Sequence, residues 1–587
     1  MYIAIFKFGL LQMKLFLNVI LILLFAGNVV SAQSSISTFR EYVKHEEYEK
    51  AAELAPTILT EYSKDADVMA LVGDVYYELE DFTNALNAYS KANNVKSADN
   101  MIVAKLAYTL TALNRTKEAI ELLDKALSKD KKNVDLLIAL ASAYVVAGNI
   151  RNAELQITNA RNYDSKNSGV YTILGDIYYN QSIWELARSN YEDALKYDPA
   201  CVLARQKLAE TYWQLAVMAN HGGDVELLNE YINRSLSECN TLVQNDPKDA
   251  NSWRLKGKIH YNAGQNLEAA QSYDKFLELR PNNYKERWRL AELFAQGNLP
   301  DKAIPNLIII YESKHPDITD SIKQLSILYL GSCYYKSKDY KNAIATFNKI
   351  DKQNPLEPME LKMLALAYLF NEDTTNALTT FDRLLAIDPS NNCDIITNVV
   401  RLYNARKDYN GIIKTTNINI NNGCPIDNNT PYLYYLLGTA YFELKEVEQS
   451  INALRKAIEI NPQYYFAYIY LGDIYCNQKN TAEGEKQFQY VIDNAKLDIA
   501  NNTNAINQAF SKLAGSRLET KKYNDLIKIC NDWLTILPEK NEFANLYMAI
   551  AYHGLQNKDQ ACKYYNEVLK INPDRKEAKD NRKNLGC

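Results

Sequence analysis

The chain has 587 residues, with 66 Lys and Arg against 71 Asp and Glu, for a formal charge of -5. Hydrophobic residues make up 47% and charged residues 23%, which excludes a disordered chain, and 20 Gly with 15 Pro are too few for collagen or a turn-rich β fold. The acidic balance and the lack of a long basic stretch leave no field for nucleic acid. At about 150 residues per domain, length alone predicts roughly four globular bodies. Tyrosine is the outlier: 43 Tyr stand against 16 Phe and 5 Trp, so one kind of position uses Tyr repeatedly.

The first predicted element is an address. Residues 1–32 read as a secretory signal, with Met13 as its true start. Lys14 supplies the positive end, Leu15–Phe25 the apolar run, and Val30 and Ala32 the small residues before a cut at Gln33. The first cysteine is Cys201, so no lipid-anchored thiol follows the leader. No later stretch reaches the ~18 apolar residues of a spanning helix. Export makes disulfides permissible. The nine cysteines are odd in number, irregularly spaced and without a C-x-x-C, which excludes a disulfide scaffold or a zinc module.

After the leader the chain is one unit written many times. The motif L-G-D-[VI]-Y occurs at Val72–Tyr76, with Val for Leu, and at Leu174–Tyr178 and Leu471–Tyr475. Behind it, at fixed distances, come Ala85, Ala187 and Gly484, then Tyr89, Tyr191 and Phe488, then Ala92, Ala194 and Val491. Gly73, Ala107, Ala141, Gly175 and Ala209 mark a period of 34 residues, and the frame yields about fifteen repeats ending near 575. Each repeat is predicted to be two antiparallel helices. Positions 4, 7, 8 and 11 make one apolar stripe; positions 20, 24 and 27 make the other. Small residues at positions 8 and 20 let the helices cross closely. The ring at position 11 fills the space between neighbours, and Pro at 32 ends the second helix. One pair cannot bury both stripes, so pairs must stack.

Departures from the frame follow in chain order. The repeat at 202–249 keeps Ala209 and Tyr212, but its closing Pro247 comes fourteen residues late, which predicts a lengthened hairpin with its turn at His221–Asp224. Spacers at Ile318–Lys323 and at the Asn-rich Asp498–Ile506 are expected to break the array. The repeat at 393–426 is degenerate: Val400 replaces the small residue, and Thr416 and Asn419 fall at buried positions. Its second helix is β-branched and a poor helix former. Cys393 at its entrance and Cys424 at its exit are brought together by antiparallel helices, so a disulfide is expected, contributing roughly 3–4 kcal/mol if unstrained. The expected organisation is residues 33–317 for repeats one to eight, 324–498 for nine to thirteen, 507–575 for fourteen and fifteen, and 576–587 as a polar cap.

Period and residue pattern resemble the tetratricopeptide repeat family over most of the chain. The resemblance implies an all-α, right-handed superhelical solenoid whose first helices line a concave groove that binds proteins or peptides. In that family positions 2, 5, 9, 12 and 13 of the first helix face the groove. Here this gives Arg254, Lys258 and Lys285, with Arg289 at position 6, a basic cluster in an acidic chain. It partly resembles the family's carboxylate clamp. It departs from it in Lys258, where the clamp uses Asn, and in placing the basic pairs in adjacent repeats. The expected ligand is an acidic segment, the alternative a solvated set balanced by Glu286 and Glu292. Tyr432, Tyr435, Phe442 and Phe466 give an aromatic inward surface, of the kind favoured in protein contacts; the alternative is packing between neighbouring helices. Asp74, Asp176 and Asp473 all occupy position 9 and read as groove hydrogen-bonding residues, too far apart for a metal.

The five His lie in five different repeats, and no metalloprotease, hydrolase or nucleotide motif occurs. No cofactor or metal is expected. The predicted function is a non-catalytic, exported scaffold in the periplasm or envelope of a Gram-negative bacterium, associated peripherally with an envelope membrane complex. The composition and the cut before Gln resemble exported repeat proteins of Bacteroidetes-like bacteria. The alternative is a carbohydrate or cell-wall binder that stacks sugars on a Tyr-lined groove.

Overall fold

The computed structural model describes residues 35–97, 99–538 and 541–587. The leader and its cut before Gln33 lie outside them. Among the described residues every regular element is helical. Thirty α-helices run from residue 35 to Ile571, counted as fifteen consecutive pairs in chain order, and a last helix, Lys576–Asn584, follows. No described helix is long and apolar enough to cross a membrane.

The crossing of each pair is set by size. In the pair Ala66–Glu78 and Phe82–Val95, a Cβ added to Gly73 would lie 2.5 Å from the Tyr89 ring. Gly175 meets Tyr191 in the same way at 2.4 Å, and Gly472 meets Phe488 at 2.5 Å. A ring at position 24 therefore lies flat on bare backbone at position 8. Position 20 is as tight: Ala85, Ala119, Ala153 and Ala187 are wholly buried. A Cβ on Gly484 would come within 2.7 Å of the Gly472 carbonyl oxygen. Serine at this position exploits the proximity. Ser235 Oγ donates to the Ala209 carbonyl at 2.8 Å, and Ser450 Oγ to that of Gly438 at 2.6 Å. Both hydroxyls are buried, and the bond removes the cost of leaving them unpaired.

Between the two helices of a pair one residue adopts the left-handed conformation. Glu80 (φ 58°), Asn114 (59°) and Lys445 (66°) do so without being glycine. The residue after Glu80, Asp81, then caps the next helix by accepting from the Asn84 amide.

The lengthened hairpin is formed by helices Val202–His221 and Val225–Asn245, of 20 and 21 residues, joined through Gly222 and Gly223. Its extra turns bury Leu215, Ala216 and Ala219 on one arm against Tyr231 on the other. Neither expected spacer is a linker. Residues 320–323 begin the helix Asp320–Lys336, and 499–506 begin the helix Ile499–Glu519, capped by Asp498 accepting from the Asn501 amide. Each spacer instead adds turns to the first helix of its pair. The described chain gathers into two compact units that divide between Ser337 and Lys338, after the helix Asp320–Lys336 rather than at residues 318–323.

The degenerate pair is Cys393–Ala405 and Tyr409–Asn421. The Tyr403 ring covers Gly411, where a Cβ would come within 2.3 Å of it, and its hydroxyl donates to Asp382 of the preceding pair at 2.6 Å. Thr415 and Thr416 are buried with their hydroxyls unpartnered, and Asn419 is half-buried. Cys393 and Cys424 are disulfide-bonded, with Cα atoms 5.7 Å apart. A second disulfide, Cys562–Cys587, ties the end of the chain back to the fifteenth pair, with a Cα separation of 5.8 Å.

Candidate functional site

In the first unit the four expected cations converge. A cavity of about 440 Å³ is lined by Arg254, Lys258, Lys285 and Arg289, with Lys207, Glu210 and Glu286 beside them. These come from the helices Val202–His221, Ala250–Asn262 and Tyr284–Gln296, consecutive first helices of their pairs. Charges alternate across the wall. Lys258 lies 3.6 Å from Glu210, which Lys207 also approaches at 3.6 Å; Arg289 lies 3.4 Å from the almost wholly buried Glu286. Glu292 does not balance the cluster; its partner is Gln296, at 3.3 Å.

The remaining carboxylate comes from far away in sequence. Glu80, in the turn of the second pair, takes both Nη atoms of Arg254, one of them at 2.8 Å. Arg254 also donates to Asn251 at 3.0 Å and lies over the Phe276 ring at 5.7 Å. The guanidinium holds the Glu80 carboxyl below its usual range, with Lys285 adding to the effect. Two neighbouring contacts join the same regions. Arg280 lies over the Tyr48 ring at 5.0 Å, and Asn282 donates its backbone and side-chain N–H groups to Glu49 at 3.2 and 2.9 Å. Burial pushes Tyr48 up to about 12. The first two pairs are thus fastened to the seventh and eighth along a seam. The array of the first unit comes round upon itself.

The aspartates at position 9 are engaged inside the solenoid. Asp74 accepts from Tyr89 Oη at 2.6 Å and from Lys105 Nζ at 2.7 Å, so it joins its own pair to the next. Asp176 accepts from Tyr191 Oη at 2.6 Å, and burial raises its carboxyl. Asp473, also raised by burial, pairs with Lys512 at 2.7 Å. Their first role is to tie helices together, not to present acceptors to a ligand.

In the second unit the aromatic residues face one another. Tyr435 packs on Tyr464 and Tyr470, with centroids 5.6 and 6.0 Å apart; Phe442 meets Tyr470 edge-on at 5.7 Å; Phe466 meets Tyr464 at 6.3 Å. Tyr432 lies under the guanidinium of Arg401 at 5.4 Å. All are half-buried, and burial raises Tyr435 and pushes Tyr470 up to about 12. Tilted and edge-to-face contacts thus engage these rings with one another, and Arg401 covers the face of Tyr432. Phe442 and Tyr470 also border a cavity of about 580 Å³ that holds the Asp473–Lys512 pair.

A cavity of about 960 Å³ in the second unit was not signalled by the repeat frame. Asn504, Asn507, Gln508 and Asn541 line it with amides. Trp533 forms its floor, donating Nε1–H to Asn507 at 2.8 Å, and Phe543 stands half exposed at its rim. Its helix carries the residues that read as an Asn-rich spacer, which is why sequence reasoning passed over it. Among the described residues no group of three or more His, Cys, Asp or Glu is placed to hold a metal ion.

Models of the tetratricopeptide repeat match residues 110–177, 240–284, 254–307, 325–356, 431–464, 453–486 and 543–575. The TPR repeat-containing protein MJ1428 of Methanocaldococcus jannaschii is 23% identical over 67% of this chain and 70% of its own length. The human protein O-mannosyl-transferase TMTC1 is 23% identical over 38% of this chain and 24% of that protein. Among solved structures, the Naa15/Naa10 complex bound to HypK-THB is similar over 94% of this chain and 96% of that one, at 13% identity and a TM-score of 0.32. A repeat protein from Parabacteroides merdae is similar over 45% and 98%, at 15% identity and a TM-score of 0.31.

Proposed function

We propose that this tetratricopeptide-repeat chain is a non-catalytic, exported scaffold that holds acidic segments of partner proteins on the inner helices of its first unit. The observation that carries the reading is the convergence of Lys207, Arg254, Lys258, Lys285 and Arg289 on one cavity in a chain of net negative charge. Five cations against the three carboxylates Glu80, Glu210 and Glu286 leave this cavity net positive, which draws anionic ligands, and Arg254 offers a planar fork that matches a carboxylate. The fold supplies a rigid frame with cations on the first helices of three successive pairs, so an extended acidic segment meets several at once.

Two disulfides support an oxidising compartment, and so the exported reading. We place the mature protein in the periplasm or envelope of a Gram-negative bacterium, assembled with an envelope complex. Crosslinking and mass spectrometry of the protein in its own envelope test both parts. The expected result is crosslinks from Lys258 and Lys285 to acidic stretches of another protein, and a mature N-terminus at Gln33. Crosslinks scattered over the second helices, with these two lysines unlinked, would overturn the reading.

A glycan-binding reading draws support from the amide-lined cavity around Asn504, Asn507, Gln508 and Phe543, and less from the tyrosines, whose rings already pack on one another. Sedimentation with peptidoglycan that is lost on Asn507→Ala would favour it over the acidic-segment reading.

A further inference from the structure

The charged cavity of the first unit already has an occupant. Lys258 and Arg289 are each matched by a carboxylate of the same wall, Glu210 and Glu286. Arg254 is matched by no carboxylate of that wall; its two-point partner is Glu80, 174 residues away in sequence. Lys285, exposed on the first helix of the following pair, adds its field to the same carboxylate. Glu80 sits in the turn between the two helices of its pair, in a left-handed backbone conformation. Its side chain remains 46% exposed, so solvent and competing anions reach the contact. The arrangement is that of a single carboxylate presented on a loop and held in a site built for more than one.

We propose that Arg254 and Lys285 form a carboxylate seat with Glu80 as its resident occupant, and that an acidic peptide binds this cavity by displacing Glu80 and opening the seam of the first unit at that point. The proposal rests on the acidic-segment reading above and adds its regulation. A resident group tethered on the same chain competes at high effective concentration, however weak its own contact. It lowers the apparent affinity for an external ligand by the fraction of time it holds the seat. A ligand with one carboxylate therefore competes poorly. A ligand with several carboxylates in sequence replaces the Glu80 contact and engages Lys258 and Lys285 as well. The seam's other fastenings, Tyr48 with Arg280 and Glu49 with Asn282, keep the rest of the closure in place.

The test uses the full chain and a fluorescein-labelled pentaglutamate peptide, followed by anisotropy at low salt. Glu80→Gln is expected to bind the peptide on the order of tenfold more tightly than the parent. Adding peptide to the parent is expected to raise hydrogen exchange at residues 79–81. Lys285→Glu, combined with Glu80→Gln, is expected to abolish the gain. Equal affinity for parent and Glu80→Gln, with binding present, would overturn the resident-occupant proposal and leave the acidic-segment reading standing. Absence of binding to either, with both chains folded by circular dichroism, would overturn the seat itself and the reading beneath it.

Discussion

The two compact units are held together by different means. The first fastens pairs one and two to pairs seven and eight through Glu80–Arg254, Tyr48–Arg280 and Glu49–Asn282, contacts that span 174 to 233 residues. The second ties each pair to its neighbour and adds two covalent staples, one across its weakest pair and one at its end. Long-range return demands regular stacking, because each pair's small rotation must accumulate without error before distant edges can meet. Pairs two to five of the first unit keep a small residue at position 8 and a fully buried side chain at position 24: Tyr89, Leu123, Ile157 and Tyr191. The second unit contains a pair where Thr416 stands in place of the ring, and there a disulfide does what packing does elsewhere.

Several changes would break or sharpen this contrast. Replacing Cys393 and Cys424 with Ser should have the largest effect, about 3 kcal/mol, through the unfolded-chain entropy of the loop. The loss should be confined to the second unit, as read by hydrogen exchange between residues 393 and 424 during urea titration. Gly175→Val should cost about 1–3 kcal/mol by driving a side chain into the Tyr191 ring, and should appear in the first unit only. Thr416→Val should stabilise the degenerate pair by about 1 kcal/mol, because it removes a buried hydroxyl that has no partner. If it does not, poor packing and not polarity makes that pair weak. Arg254→Met should cost less than about 1 kcal/mol of global stability, since the ion pair is partly exposed. It should nevertheless loosen the turn at residues 79–81, again by hydrogen exchange.

Acid should act on the seam in two senses. Hydrogen bonding from Arg254 lowers Glu80, so the opened chain binds the proton more readily and this contact is lost as pH falls through the lowered value. Burial raises Glu46 and Glu49, so their ionisation costs stability and the closed state gains as pH falls through their raised values. Protection at the seam should therefore increase slightly as pH falls from neutral toward the ordinary glutamate range, and fall once pH drops below that range. A monotonic decline would show that Glu80 alone governs it.

Much of this architecture was legible in the residues. The 34-residue frame gives the helices and, through the small residues at positions 8 and 20, their close crossing; that the ring at 24 covers position 8, as Tyr89 covers Gly73, emerges only from the structure. The late Pro247 announced the long hairpin, and the convergence of Arg254, Lys258, Lys285 and Arg289 followed from their places in the frame. Other features depend on geometry that no local pattern carries. Glu80 looks like an ordinary turn residue until five pair-to-pair rotations bring it to Arg254. The run after Asp498 reads as a loop by its asparagines, yet its Asp cap and the packing of Ala505 and Ile506 make it helix. Cys587 lay in a segment that read only as polar cap, so its bond to Cys562 left no trace in the repeat pattern.

The long hairpin of the sixth pair bears on how such a chain can grow. Its arms have 20 and 21 residues where the preceding pair has 13 and 14, so each gained seven. Seven residues are about two helical turns, which return each apolar stripe to its starting azimuth. Growth at this site is therefore quantised and symmetric: matched two-turn steps leave neighbouring pairs in phase. A single residue added to one arm would rotate its stripe by about 100° out of register. The tip at Gly222 and Gly223 is thus a natural insertion port, where a tag or a foreign binding loop can be carried without disturbing the stack.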